Sequence, residues 1–201
     1  MTLRTSFALV FALGTSAQAQ DIEKVDDAVA KELGKQLAEL AGKSADLPFN
    51  LNPDSDSALG LKAGERGGLI VAEKDLTTDK IAKHEKGVLP LGVLFTRKVT
   101  VYTAGGAVEG AKLRTVEATV GDKTVEVAVF VLGIAKVEDR HVLVVYAKGK
   151  TPVVVAALSD LDHVGEKPLI LEPRQGKDGR GDIVIGVLGK WQVMIPVAIT
   201  E

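Results

Sequence analysis

The sequence contains no cysteine, so disulfide scaffolds and thiolate-ligated zinc or iron–sulfur sites are excluded. Aromatic residues are scarce, at 4%: five Phe, two Tyr and one Trp. Carbohydrate-binding sandwiches and single-strand nucleic-acid folds stack rings or bases on exposed aromatics. Only Trp191, Tyr102 and Tyr146 carry amphipathic rings suited to that role, and Trp191 opens a run with apolar alternate positions, which assigns it to a core. Carbohydrate binding is therefore disfavoured. An outer-membrane barrel needs aromatic girdles at both interfaces, and the strand-like segments carry none. Neither charge sign dominates, with 25 Lys and Arg against 27 Asp and Glu, which argues against a nucleic-acid binder and against an acidic tail. No segment reaches the ~20 apolar residues of a spanning helix. What is present, over 201 residues, is 46% apolar and 26% charged, the composition of an ordered globular protein.

Residues 1–19 have the order of a secretory signal. Arg4 precedes the apolar run Phe7-Ala8-Leu9-Val10-Phe11-Ala12-Leu13, and Ala17-Gln18-Ala19 supplies a small-residue cleavage pattern. The expectation is a periplasmic or secreted protein, exported without cysteine and stabilised by a packed core.

Residues 20–43 predict an amphipathic helix. Ile22, Val25, Val29, Leu33, Leu37 and Leu40 recur at helical spacing, with Asp21 as expected N-cap and Gly42 as stop. Gly34 inside it costs about 1 kcal/mol relative to Ala, so the helix needs a partner: the protein's own β-domain, a second copy, or another protein. Residues 44–68 are rich in Pro, Gly, Asn, Asp and Ser and predict a connecting region. Residues 69–88 predict a short strand at 69–72 and a short helix at 78–86, capped by Thr77 or Thr78.

From residue 89 to 201 the pattern is β. Strands are expected at 91–103, 112–120, 123–132, 140–147, 151–158, 168–172, 182–188 and 191–199. Val125, Val127, Val129 and Val131 share one face, as do Trp191, Val193, Ile195, Val197 and Ile199. The runs at 142–146 and 153–158 are apolar on both faces, which predicts covered strands. Gly121-Asp122, Lys148-Gly149 and Gly189-Lys190 read as tight hairpin turns. Pro152 and Pro196 must sit at edges or bulges. About eight antiparallel strands with short turns and no intervening helices point to a Greek-key-like β-sandwich behind an N-terminal helix.

A two-residue turn at Gly121-Asp122 places Glu117 directly opposite Glu126, with Cβ atoms about 4.5–5.5 Å apart. Such a pair can raise one pKa or hold a hard cation; two solvated carboxylates are the commoner outcome. Asn52-Pro53-Asp54-Ser55-Asp56 alternates oxygen ligands as a calcium loop does, but an EF-hand register would need Gly and Glu where Ser57 and Ala63 stand. His84, His141 and His163 lack ligand spacing, and Asp160-Leu161-Asp162-His163 is the densest potential metal cluster. No nucleophile elbow, P-loop or dinucleotide fingerprint occurs, and the glycines at 60, 64, 67 and 68 read as turns. Arg180-Gly181-Asp182 falls in a polar stretch expected as an exposed loop.

The sequence therefore assigns no catalytic, cofactor-binding or metal-binding residues. The leading expectation is a non-enzymatic structural or protein-interaction module of the cell envelope or secretome, touching a protein partner or a second copy through the helix or a sheet edge. One alternative is a carboxylate- or metal-dependent hydrolase or lyase drawing on Glu117, Glu126, Asp160, Asp162 and His163. The other is a small-ligand carrier, which requires a cavity in the β-domain.

Overall fold

Alternation along the valine-rich strands builds two antiparallel sheets that face each other through one core. The computed structural model describes residues 22–43, 46–120, 123–161, 167–176 and 179–200; the signal-like segment, the Gly121-Asp122 turn, Asp162 and His163 lie outside them. In chain order the elements are β1 (Glu23–Lys24), α1 (Asp27–Gly42), a 3-10 turn at Ser55–Ser57, β2 (Leu59–Ala63), β3 (Arg66–Ala72), α2 (Thr78–Ala82), β4 (Val88–Arg97), β5 (Val99–Thr103), β6 (Gly106–Ala107), a 3-10 turn at Gly110–Lys112, β7 (Thr115–Val120), β8 (Lys123–Val137), β9 (Arg140–Tyr146), β10 (Val154–Ala157), β11 (Ser159–Asp160), β12 (Leu169–Gln175), β13 (Arg180–Val187) and β14 (Trp191–Ile199).

The first sheet runs β1-β2-β3-β4-β8-β9-β10, with β7 pairing the early part of β8; the second runs β12-β13-β14-β5-β6, with β11 also on β14. The β-sandwich expected from the strand pattern is the observed architecture. Its central core joins Ile70, Leu94, Phe130 and Leu143 of the first sheet to Leu169, Ile185, Val193 and Ile195 of the second. The opposite face of the first sheet is covered by α1 over Leu69, Val71, Val93 and Val129. Beside it the segment bearing Leu47, Phe49 and Leu51 covers Val131, Val142, Val144 and Tyr146, and Phe49 meets the Tyr146 ring edge-on at 5.8 Å.

Several expectations are corrected. The helix does not start at Asp21: residues 23–24 are drawn into β1 on the edge of β2, and Asp26 is the N-cap, accepting from Ala28 N–H at 2.9 Å and Val29 N–H at 3.3 Å. Its buried stripe is Ala30, Gly34, Leu37 and Ala41, and Val29 is half exposed. The stripe is rotated toward the small residues because they let the helix axis approach the sheet closely. The connecting region at 44–68 contains β2 and the start of β3, so the sheet begins well before residue 89.

The apolar run at 91–103 is two strands, not one. Lys98 adopts φ 53°, and the chain leaves the first sheet there to enter the second, the corner being held by the Thr96 hydroxyl donating to Val99 C=O at 2.6 Å. Lys148-Gly149 is not a two-residue hairpin turn, because β9 ends at Tyr146 and β10 begins at Val154. The run at 153–158 forms an edge strand, leaving Val155 more than half exposed.

Proline placement follows the ladder. Ile199 N–H donates to Gly179 C=O, whereas Thr200 N–H donates to Lys98 C=O and Leu161 N–H donates to Lys190 C=O. Odd-numbered residues of β14 therefore turn their backbone groups toward β13 and even-numbered ones toward the other edge. At Pro196 no strand is paired to that other edge among the described residues, because β5 pairs only with 197–199 and β11 only with 191–192. The missing N–H falls where no ladder bond is required.

Candidate functional site

Inward-facing positions fill the middle of the sandwich with large side chains and leave one end unfilled. On β3, even-numbered residues face the second sheet: Ile70 is a fully buried core residue, but the next inward positions toward the strand start are Gly68 and then Arg66. On β13 the inward series Val187, Ile185, Ile183 ends in Gly181. A cleft of about 390 Å³ opens where those side chains are missing, between the β2–β3 hairpin and the ends of β12, β13 and β14. Its apolar wall is built from Leu61, Leu171, Pro173, Ile183, Val197 and Ile199. Pockets of about 300–1,000 Å³ with apolar walls and a few placed polar groups are the usual form of small-molecule sites.

Among the described lining residues the charged ones are Lys62, Arg66, Arg174, Arg180 and Asp182. Arg66 holds an inward position of β3, whereas Arg174, Arg180 and Asp182 alternate with the inward Leu171 and Ile183 and belong to the outer face of the second sheet, Arg174 opposite Asp182. Lys62 is tied to Glu23 at 3.0 Å, and Glu65 at the hairpin turn is held by Lys98 at 2.7 Å. Arg180 lies over the Tyr102 ring, 4.4 Å from its centroid. Among the described residues neither Arg66 nor Arg174 is in an ion pair within 4 Å. The Arg180-Gly181-Asp182 tripeptide, expected in an exposed loop, is the start of β13 and part of this wall. A second hollow, over Met194 and Val153 to Ala156, is a shallow seam between β10 and β14 without a charged group.

In comparisons with protein-family models, curated proteins and solved structures, nothing matches the chain.

Among the described residues, those singled out for acid–base or metal chemistry are not brought to the cleft; Asp162 and His163 lie outside them. Glu117 does pair with Glu126 in the expected register, but both are exposed on the hairpin that β7 and β8 form. Asp160 is exposed in β11, its carbonyl accepting from Gln192 Nε2 at 3.4 Å. His141 and His84 come together, His141 Nε2 lying 3.1 Å from His84 C=O. They flank Glu85, whose carboxylate Lys136 holds at 2.8 Å; that hydrogen bond keeps the Glu85 pKa below and the Lys136 pKa above their ordinary values. Asp54 is consumed as the cap of the 3-10 turn, accepting from Asp56 N–H at 3.1 Å. Asp56 forms an ion pair with Lys31 on α1, and their mutual hydrogen bond lowers the Asp56 pKa and raises that of Lys31. Among the described residues no three His, Asp or Glu side chains converge as metal ligands do. The cleft residues were missed because they come from segments more than a hundred positions apart, and the available signal was a glycine at an inward position of an alternating strand.

Proposed function

We propose that the chain is an exported, non-enzymatic binding module of the cell envelope or secretome that receives an apolar group of its ligand or partner in the cleft between the two sheets. The carrying observation is the unfilled end of the sandwich, about 390 Å³ bounded by inward-facing apolar side chains and open to solvent. Burying apolar area there yields about 25 cal/mol per Å², and the site is preformed, so little ordering opposes it. The helix stripe is occupied by the protein's own sheet, which leaves the cleft and the strand edges as the available contact surfaces. The alternative hydrolase or lyase reading finds less support, because the described carboxylates of its pool, Glu117, Glu126 and Asp160, lie at exposed strand positions outside the cleft.

The test uses the neutral fluorophore N-phenyl-1-naphthylamine, whose emission rises in apolar surroundings. Wild-type protein should enhance it saturably, and Ala63→Trp, at an inward lining position of β2 near the mouth, should abolish the enhancement while leaving the far-ultraviolet circular dichroism unchanged. Equal enhancement by the two proteins would sink the proposal.

A further inference from the structure

The face of the first sheet turned away from the cleft is closed by a stretch of chain that the sheet itself does not hold. Residues 46–51 cross it on the way to an anchor at Asn52, whose N–H donates to Glu73 Oε1 at 2.7 Å and whose C=O accepts from Lys74 N–H at 2.9 Å. Leu47, Phe49 and Leu51 pack over the buried Val131, Val142, Val144 and Tyr146. The Phe49 ring meets Tyr146 edge-on and rests above Gly133, the ladder partner of Val144, where a Cβ would stand 3.3 Å from Phe49 Cζ. Yet among the described residues no backbone–backbone hydrogen bond holds 46–51. Its polar tie is Arg114 Nη2–H donating to Asp46 C=O at 2.6 Å. Arg114 is 5% exposed, and among the described residues its Nε and Nη1 have no partner and no carboxylate lies within ion-pair distance. Closing this segment gains one charge-assisted bond but keeps two donors of the same cation dry, a cost that the entry of water removes.

We propose that residues 46–51 form a strap that opens as a unit while the sandwich stays folded, and that the buried Arg114 sets how readily it does so. Opening gives Arg114 Nε and Nη1 to water and bares the apolar face of β8 and β9. Closing returns Leu47, Phe49 and Leu51 to that face. The sheet beneath keeps its ladder in both states, because β8 pairs with β4, β7 and β9, and β9 with β8 and β10, none of which involves the strap. Low-energy local openings belong to segments with few backbone bonds and few buried contacts. A surface that is bared only in the minor state is withheld from every contact made by the closed form. The strap and the cleft are independent, since they lie on opposite faces of the first sheet.

The experiment is thiol labelling, which suits a chain without cysteine because one introduced thiol is the only one present. Val144→Cys places it beneath the strap, and Val145→Cys places it on the other face of the same strand, in the central core. Both are treated with excess dithiobis-nitrobenzoate at one pH, over urea concentrations below the unfolding transition. Val144→Cys should react about a hundredfold faster than Val145→Cys and at a rate nearly independent of urea, whereas the Val145→Cys rate should climb with urea as global unfolding does. Arg114→Met, which keeps the bulk of the side chain and removes its dry donors, should slow Val144→Cys labelling about tenfold. Equal rates and equal urea dependence at the two positions would show that the strap opens only when the whole protein unfolds, and would overturn the proposal. An unchanged or faster rate in Arg114→Met would overturn the role given to Arg114. The urea comparison decides the opening itself without that variant, should it fail to fold.

Discussion

Replacing Gly34 by alanine tests how closely α1 sits on the first sheet. An alanine Cβ at this position would lie 2.9 Å from Ala58 Cβ and 3.3 Å from Val71 Cγ2, against a carbon–carbon optimum of about 3.5–4.0 Å. Both neighbours are fully or almost fully buried, and the Ala58 methyl is fixed to its backbone, so no rotamer change relieves the contact. The helix must move outward, loosening Ala30, Leu37 and Ala41 together. Removing a mid-helix glycine gains about 1 kcal/mol of helix propensity, whereas overpacking a closed core costs about 1–3 kcal/mol. The net expectation is a loss of about 1 kcal/mol, a fall in Tm of about 2–4 °C for a chain of this size, measured by urea and thermal unfolding followed by circular dichroism. Two further variants isolate the cause. Gly42→Ala, at the end of the same helix with nothing within 4 Å of its Cβ, should stabilise by a few tenths of a kcal/mol to about 1 kcal/mol. Ala58→Gly combined with Gly34→Ala should recover about 1 kcal/mol relative to the sum of the single variants. A Gly34→Ala protein more stable than wild type would refute the close seating of α1.

Glu73 carries a pH dependence. Its Oε1 accepts from Asn52 N–H at 2.7 Å, while Oε2 is buried with no partner among the described residues, and burial raises its pKa against the opposing effects of the Asn52 bond and Lys80. Because the folded pKa exceeds the unfolded value of about 4.3, the native state holds this proton more tightly and stability falls as pH rises through the window between the two. Glu73→Gln should gain on wild type across that window upward and approach it at the acid end in urea titrations; a difference independent of pH would contradict the assignment. On the β7–β8 hairpin, Glu126→Lys replaces a like-charge pair opposite Glu117 with an attractive one and should add a few tenths to about 1 kcal/mol, a gain that should vanish when Glu117 is alanine; an equal gain in both backgrounds would show that the two side chains do not interact.

Where a strand has one wet face, its register was legible. The β7–β8 ladder pairs Val116 with Val127 and Glu117 with Glu126 as a two-residue turn requires, because a slip by one residue would send every valine to solvent. The odd-numbered series of β14 faces the core for the same reason. Where both faces are apolar, alternation carries no phase, and the run at 153–158 gave no sign that one side of β10 would be an open edge. The corner at Lys98 was hidden because nothing in an apolar run marks a change of sheet except the charged pair Arg97-Lys98. The large residues alone give the wrong phase for α1. Against a sheet, the helix turns its smallest side chains inward, and Ala30, Gly34 and Ala41 count for more than Val29.

The glycines of the cleft show why its outline could not be read from composition. Gly181 is dictated by its backbone surroundings: a Cβ there would stand 2.6 Å from Arg174 C=O, so the narrow neck between β12 and β13 admits no side chain. Gly68 is different. It has no positive φ, and a Cβ would meet only Leu171 Cδ2 at 3.4 Å and Phe95 C=O at 3.9 Å, ordinary contact distances. An alanine would fit there without strain, and its methyl would begin to close the end of the sandwich from the side of β3 and bring the favourable contacts that a filled core supplies. Glycine in that place forgoes them and lowers β-propensity as well. The opening is thus forced by the backbone on one side only; on the other it is a property of the chosen residue, which is the arrangement expected when the space itself has a use.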